Sequence, residues 1–416
     1  MRLLDEKLCP EWVEAAQRTT VITKSPVMGR STHSVRTRTC CSDYVLTVTC
    51  GACQRAGAPR RCAPLTLSVC WLAQKALREQ IKSSFRGKDK MAHVVSLEVP
   101  IQQTLSTLHT DKAVRCVCWT HDGELLASAG DKGIVYVCDV HNGEIKMSLP
   151  HGAKVWSIDC SMDGLMLATG CKDKTVRLWG FVDGHLLGTL SGHSGEVNCV
   201  TFSGNNQWLA SASDDGTAIL WQISGQSAVL HKRLEGHSDW VRSLSWGHQD
   251  LVLASGAGDC KIVLWDLSTP DVQQGAVLTG HKSGVRAVSF RPDGQVLASA
   301  SFDCSIFLWK IDGACGELLQ GLQGHKAGVW TLAWMHGGHA LLSGAFDNTI
   351  RVWTFNKTGQ ARAKGDPLAE HTKAVGALAV SPDDSLLASA SDDETVLLWA
   401  MDLGSQESSL AKSTSG

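Results

Sequence analysis

Residues 193–221 read HSGEVNCVTFSGNNQWLASASDDGTAILW. Three short β-rich runs, at 197–202, 208–213 and 217–223, are separated by Gly204-Asn205-Asn206 and Asp214-Asp215-Gly216. Both separators carry turn chemistry, because Asn, Asp and Gly adopt the backbone angles that reverse a strand. The stretch therefore predicts three antiparallel strands. It opens on His193, has Asp215 22 residues later, and ends on Trp221 six residues after that.

The same frame recurs along the chain. Gly192-His193, Gly236-His237, Gly280-His281 and Gly324-His325 are each followed at the same spacings by Asp and Trp. Two further copies lack the leading Gly: His151, Asp173, Trp179 and His371, Asp393, Trp399. A seventh, degenerate copy has Thr110, Lys132 and Cys138 in those slots. The start-to-start spacing runs 41, 42, 44, 44, 44 and 46 residues, with all variation between one Trp and the next His. Fixed blocks joined by variable segments are the mark of stacked structural units with surface loops. A fourth short run precedes the block start, as at 186–190 and 318–322. Four short antiparallel strands per unit is the blade of a β-propeller.

These residues resemble the WD-repeat (WD40) family over about 310 of the 416 residues, although the literal Trp-Asp pair occurs only at Trp265-Asp266. The resemblance implies an all-β fold: a seven-bladed propeller of four-stranded antiparallel blades. Its repeats lie at about 110–138, 151–179, 193–221, 237–265, 281–309, 325–353 and 371–399. It also implies a hydrogen-bonded His, Ser/Thr, Asp and Trp set inside each blade. The sets are His151/Thr169/Asp173/Trp179, His193/Ser211/Asp215/Trp221, His237/Ser255/Asp259/Trp265, His281/Ser299/Asp303/Trp309, His325/Ser343/Asp347/Trp353 and His371/Ser389/Asp393/Trp399. Such a chain satisfies a carboxylate that would otherwise be costly to bury. A catalytic triad needs one exposed nucleophile beside an oxyanion hole, so six copies at one spacing read as architecture. The first blade, lacking the set, is expected to be the loosest.

In WD-repeat proteins the top face around the central channel commonly binds peptides or proteins. Carried over by position, its side chains come from three slots: three and five residues after the His, and one before the Asp. The candidate binding residues are Arg115, Trp156, Trp240, Arg242, Arg286, Phe302, Trp330 and Phe346. Trp and Arg are frequent anchors at interfaces. Two chemistries compete. Arg115, Arg242 and Arg286 would clamp an acidic or phosphorylated peptide. Trp156 and Trp330 with Phe302 and Phe346 would cage a cation, with Asp131, Asp214 or Asp392 balancing its charge. Trp119, Trp246 and Trp334, nine residues after the block start, are expected in the core.

The flanks differ from the ring. Residues 1–90 hold 16 Lys+Arg against 7 Asp+Glu, whereas residues 91–416 hold 23 against 34. A basic, Cys-containing extension (1–90) is therefore expected before a propeller at 91–402 and a Ser-rich tail at 403–416. The extension is expected to be poorly ordered; its one C-x2-C pair, Cys50 and Cys53, is half of what a zinc site usually needs. Residues 94–108 are expected to supply the outer strand of the last blade, closing the ring and removing a free sheet edge.

Composition narrows the function classes. No run reaches about 18 apolar residues, so no membrane-spanning helix is expected. Asp5, Glu6, Glu11 and Glu14 interrupt the start, so no secretory signal is expected there, and the protein reads as intracellular, cytoplasmic or nuclear. The acidic balance of the ring argues against nucleic acid as its ligand. No phosphate-binding loop, zinc-protease or nucleophile-elbow motif occurs. The expectation is a non-enzymatic scaffold or adaptor for protein or peptide partners in a multiprotein complex, without cofactor, metal or small-molecule substrate. The alternative is a substrate-recognition subunit, as in a ubiquitin ligase or chromatin complex. The nearest match to the Trp-Asp-x-Arg of ligase receptors is Trp265-Asp266-Leu267-Ser268, which lacks the Arg.

Overall fold

The structure, a computed structural model, describes residues 103–106 and 112–401 except 182, 270 and 357. The 1–90 extension, the 403–416 tail and Thr110 lie outside the described residues.

The described chain forms seven four-stranded antiparallel sheets. Six are built from consecutive strands, beginning at Val114, Val155, Val197, Val241, Val285 and Val329. The seventh orders its strands as Gln103–Ser106, Val396–Ala400, Leu386–Ser391 and Val375–Val380. Its outer strand therefore comes from the opposite end of the chain, with Leu105 beside Leu398. The rest of the 94–108 segment is outside the described residues.

Packing explains the strand sequences. The second strand of a blade, such as Val252–Ala257 or Val296–Ser301, is buried at every position. Both of its faces meet a neighbouring blade, so it reads as an unbroken run of apolar and small residues. Outer strands such as Leu186–Ser191 are largely exposed. Among the described residues the core divides into seven hydrophobic clusters, one in each gap between neighbouring blades. The last joins Ala388, Val396 and Leu398 of the seventh blade to Val114, Val117 and Trp119 of the first. The ring is closed by the same apolar packing that holds any two blades together. Trp119 and Trp334 are buried core residues; Trp246 is half-buried, its indole N–H donating to the Thr201 carbonyl at 3.2 Å.

Turns at one end of the blades add cross-links. The left-handed position is Gly123, Gly164, Gly294 or Gly338 in four blades, but Asn206, Asp250 or Asp384 in the other three. Those three side chains reach the preceding blade. Asn206 accepts from the Met162 N–H, Asp250 from Gly204 and Asn205, and Asp384 from His336 and Gly337, all within 2.7–2.8 Å.

Candidate functional site: the channel mouth

Five blades carry the full polar set. In the fourth, the Trp265 indole N–H donates to Ser255 Oγ at 2.9 Å, which donates to His237 Nε2 at 2.8 Å. His237 Nδ1 donates to the Asp259 carboxylate at 3.0 Å. This relay satisfies each group with a neutral imidazole. The third, fifth, sixth and seventh blades repeat it with His to Asp distances of 2.9–3.1 Å. Burial alone would raise the Asp215 pKa. Hydrogen bonds from His193, Thr217 and Ser194 outweigh it and hold that carboxyl well below the usual range. The serine hydroxyls are fully buried and committed at both ends, which denies them a nucleophile's role.

The second blade corrects the expected set. His151 still meets Thr169 at 2.9 Å, but its Nδ1 donates to the Leu149 carbonyl at 2.9 Å. Asp173 instead pairs with Arg177 at 2.5 Å. The guanidinium four residues after Asp173 takes its carboxylate, and Gly152 does not supply the backbone N–H that Ser194 gives Asp215 at 2.8 Å. The sixth blade has Arg351 at the same spacing from Asp347, but there Lys326 N–H donates to Asp347 at 2.8 Å and the bond to His325 holds at 3.0 Å. Burial, with Arg177 adding to it, pushes the His151 pKa down to about 4. In the first blade Ser128 keeps its buried hydroxyl, which has no hydrogen-bond partner among the described residues.

At the channel mouth one backbone device repeats in all seven blades. The register between the first two strands shifts between Val114 and Cys116, Val155 and Ser157, Val197 and Cys199, and Val241 and Ser243. It shifts likewise between Val285 and Ala287, Val329 and Thr331, and Val375 and Ala377. The skipped residues are Arg115, Trp156, Asn198, Arg242, Arg286, Trp330 and Gly376. These fill the slot five after the block start. A bulge takes a residue out of the ladder and re-aims its side chain, which is how the fold delivers one side chain per blade to the mouth.

Most of these side chains are already engaged. Arg115 bonds Asp131 at 3.1 Å and Asp392 at 2.5 Å, and Lys154 bonds Asp131 at 2.7 Å. Burial, followed by Asp131 and Asp393, raises the Asp392 pKa against the pull of Arg115. Trp156 donates to Glu196 at 2.9 Å. Arg242 pairs with Asp214 at 3.2 Å and lies 4.4 Å from the ring of Trp240. Buried Asn198 bonds Asp214 at 2.7 Å and the Val241 carbonyl at 2.9 Å.

Arg286 differs. Its guanidinium lies 4.6 Å from the ring of Trp330, and among the described residues it makes no hydrogen bond or ion pair. Burial, with Arg242 and Arg115 nearby, pushes its pKa down to about 9, so it stays charged at neutral pH. Beside it runs an aromatic row: Trp330 is 4.3 Å from Phe346, and Phe346 is 5.8 Å from Phe302. Phe302 and Phe346 are 44% and 39% exposed, and Trp240 is 50% exposed. Gly328 makes room for the row, since a Cβ there would come 2.9 Å from Phe302 Cδ1.

The eight sequence candidates thus form three groups. Arg115 and Trp156 belong to a polar network spanning the seventh, first, second and third blades, and Arg242 with Trp240 to one between the third and fourth. Arg286, Trp330, Phe302 and Phe346 form the open part of the mouth. Spacing singled out the slots but missed their pairing across blades. The signal was present: Asp131 with Lys154 and Asp214 with Arg242 place opposite charges in successive blades. A second concavity, lined by Leu319, Phe355 and Arg291, lies between the fifth and sixth blades. Its Arg291 is ion-paired with Asp293 at 2.5 Å, and Lys310 and Asp312 also line it.

Comparison with known proteins agrees with this geometry. The family model "WD domain, G-beta repeat" matches residues 143–180, 184–222, 228–266, 273–310, 316–354 and 366–400. This chain belongs to the WD40-repeat family. A second model, "Anaphase-promoting complex subunit 4 WD40 domain", matches residues 93–158 and so covers the degenerate first repeat. Among curated relatives, the COMPASS component SWD3 of Saccharomyces cerevisiae is 30% identical over 117 residues, 28% of this chain and 37% of that protein. A probable cytosolic iron-sulfur protein assembly protein CIAO1 homolog of Caenorhabditis elegans is 33% identical over 116 residues, 25% of this chain and 34% of that protein. Eukaryotic translation initiation factor 3 subunit I of Xenopus tropicalis is 38% identical over 71 residues, 17% of this chain and 22% of that protein. The matched stretches span less than two-fifths of each of these relatives. Among the described residues of this WD40 protein, no helix is long and apolar enough to cross a membrane.

Proposed function

We propose that this WD40 propeller is a non-enzymatic scaffold that binds a protein or peptide partner across the channel mouth. The observation that supports it most is the set of exposed aromatics there: Phe302 and Phe346 side by side, and Trp240 beside Arg242. Large aromatics left in solvent at the centre of a face are characteristic interface anchors. We place the protein inside the cell, in cytoplasm or nucleus.

The test is quantitative affinity capture from cells with the native chain and a Trp240→Ala/Phe302→Ala/Phe346→Ala variant, both checked for folding by circular dichroism. Partners bound at the mouth drop out of the variant's set. An unchanged set counts against this reading.

A second reading, a subunit of a larger assembly that recognises its substrates, draws support from relatives named as a COMPASS component and an initiation-factor subunit. The test is gel filtration of the endogenous protein: elution far above the size of its 44.6 kDa chain would support this reading, and elution at that size would count against it.

A further inference from the structure

The mouth offers two opposite ligand chemistries, and the distribution of its charges separates them. A cationic ligand needs free aromatic faces and free carboxylates. The carboxylates are taken: Asp131 and Asp392 by Arg115, and Asp214 by Arg242. The ring of Trp156 already faces Arg115 at 5.6 Å and Lys154 at 5.7 Å. Trp330 faces Arg286 at 4.6 Å and Arg115 at 5.8 Å. An incoming cation would have to compete with the protein's own.

An anionic ligand meets the opposite situation. Arg286 is charged, half-buried, held against Trp330 and without an acceptor among the described residues. A half-buried guanidinium has lost part of its hydration, and Asp214 compensates it only through space, without a hydrogen bond. Its N–H donors stay open to an acceptor brought by a ligand. The guanidinium is planar and presents its N–H donors as a fork that fits two oxygens of one group. Arg242 and Arg115 add positive potential around it. Phe346 and Phe302 extend the apolar floor laid by Trp330.

Resting on the proposed protein-binding role of the mouth, we propose that the partner inserts an anionic side chain, a carboxylate or a phosphorylated residue, onto Arg286. Adjoining apolar groups of the partner lie along Trp330, Phe346 and Phe302. Arg286 is the charge-reading residue, and the other two arginines hold the mouth in shape.

The test uses the full chain and degenerate fluorescent peptides whose central position is Asp, Glu, phosphoserine, Gln or Lys. The acidic pools should be retained over the Gln and Lys pools. Preference between the Asp/Glu and phosphoserine pools identifies which anion is used, and either one supports the proposal. Arg286→Met should weaken binding of the preferred pool at least about thirty-fold, the low end for losing one partner of a buried charge pair. Its melting temperature should stay level or rise, because an unpaired charge has been replaced by an apolar side chain of similar length. Arg286→Lys, which keeps the charge without the fork, should fall between the two. The proposal is overturned if no acidic pool outbinds its Gln counterpart, or if Arg286→Met binds as the native chain does. A drop in the melting temperature of Arg286→Met would also overturn it, since that makes the guanidinium a structural part. If cellular partners depend on the aromatic row yet survive Arg286→Met, this inference fails and the protein-binding role stands.

Discussion

Arg115 in the first blade lies 5.8 Å from the ring of Trp330 in the sixth, with the seventh blade between them in the ring and the second to fifth blades between them in sequence. The same guanidinium bonds Asp131 of its own blade and Asp392 of the seventh. Arg115 thus ties together the part of the ring where the chain closes on itself. Arg115→Ala leaves two half-buried carboxylates near one another without their shared cation. We expect a loss of about 2 kcal/mol, below the range for fully buried pairs because all three groups touch solvent. Urea denaturation measures it, and adding Asp392→Asn should recover part of the loss.

The polar sets should differ in worth between blades. Asp259 is nearly buried beside His237 and accepts N–H groups from His237 and Ser238. Asp259→Ala strands both donors and should cost about 3 kcal/mol. Asp173 is more exposed and pairs only with Arg177, Thr175 and the turn backbone. Asp173→Ala should cost about 1 kcal/mol or less. Equal costs would show that the second blade carries the same relay as the others.

Ser128 and Ser255 occupy the same slot with opposite partners. Ser255 Oγ accepts from Trp265 and meets His237, whereas Ser128 Oγ is buried without a partner among the described residues. Ser128→Ala removes an unsatisfied hydroxyl and should stabilise by about 1 kcal/mol, while Ser255→Ala should destabilise by about 2 kcal/mol. Paired denaturation curves check the sign.

How much of this was legible in the sequence depends on what each residue answers to. The blades were legible because spacing alone fixes them: His237, Asp259 and Trp265 sit at invariant intervals, and a Val, Ile or Leu falls in the core slot seven after every block start. The slots at the mouth were legible for the same reason. The state of each side chain in them was not. Asp173 keeps the spacing of its five counterparts, yet the guanidinium of Arg177, four residues on, takes its carboxylate, whereas Arg351 at the same spacing leaves Asp347 to His325. The bulge that aims Arg286 at the channel leaves no mark in composition. Whether an arginine is paired depends on which residue a neighbouring blade presents, Asp214 for Arg242 and Asp392, 277 residues away in sequence, for Arg115.

Acid should destabilise the ring in two stages. Burial holds the His151 pKa down at about 4 and lowers those of His281 and His325. An unfolded imidazole, at about 6.5, takes up a proton in a range where these folded ones do not. Their contribution is therefore complete above about pH 6.5 and is lost as pH falls through the folded value. The carboxyls of Asp215, Asp259, Asp303, Asp347 and Asp393, all held low, add a second loss of the same sign below about pH 4. Urea midpoints taken at intervals from neutral pH downward should begin to fall before the carboxylate range is reached. A flat profile down to that range would contradict the first stage.

Hydroxyl-radical footprinting of the endogenous assembly, set against the purified chain, tests the central claim most directly. Trp240, Phe302 and Phe346 should be labelled in the free protein and protected in the assembly, while Leu186 and Val229 on the outer strands stay labelled in both. Protection of the outer strands with the mouth aromatics still labelled would contradict it.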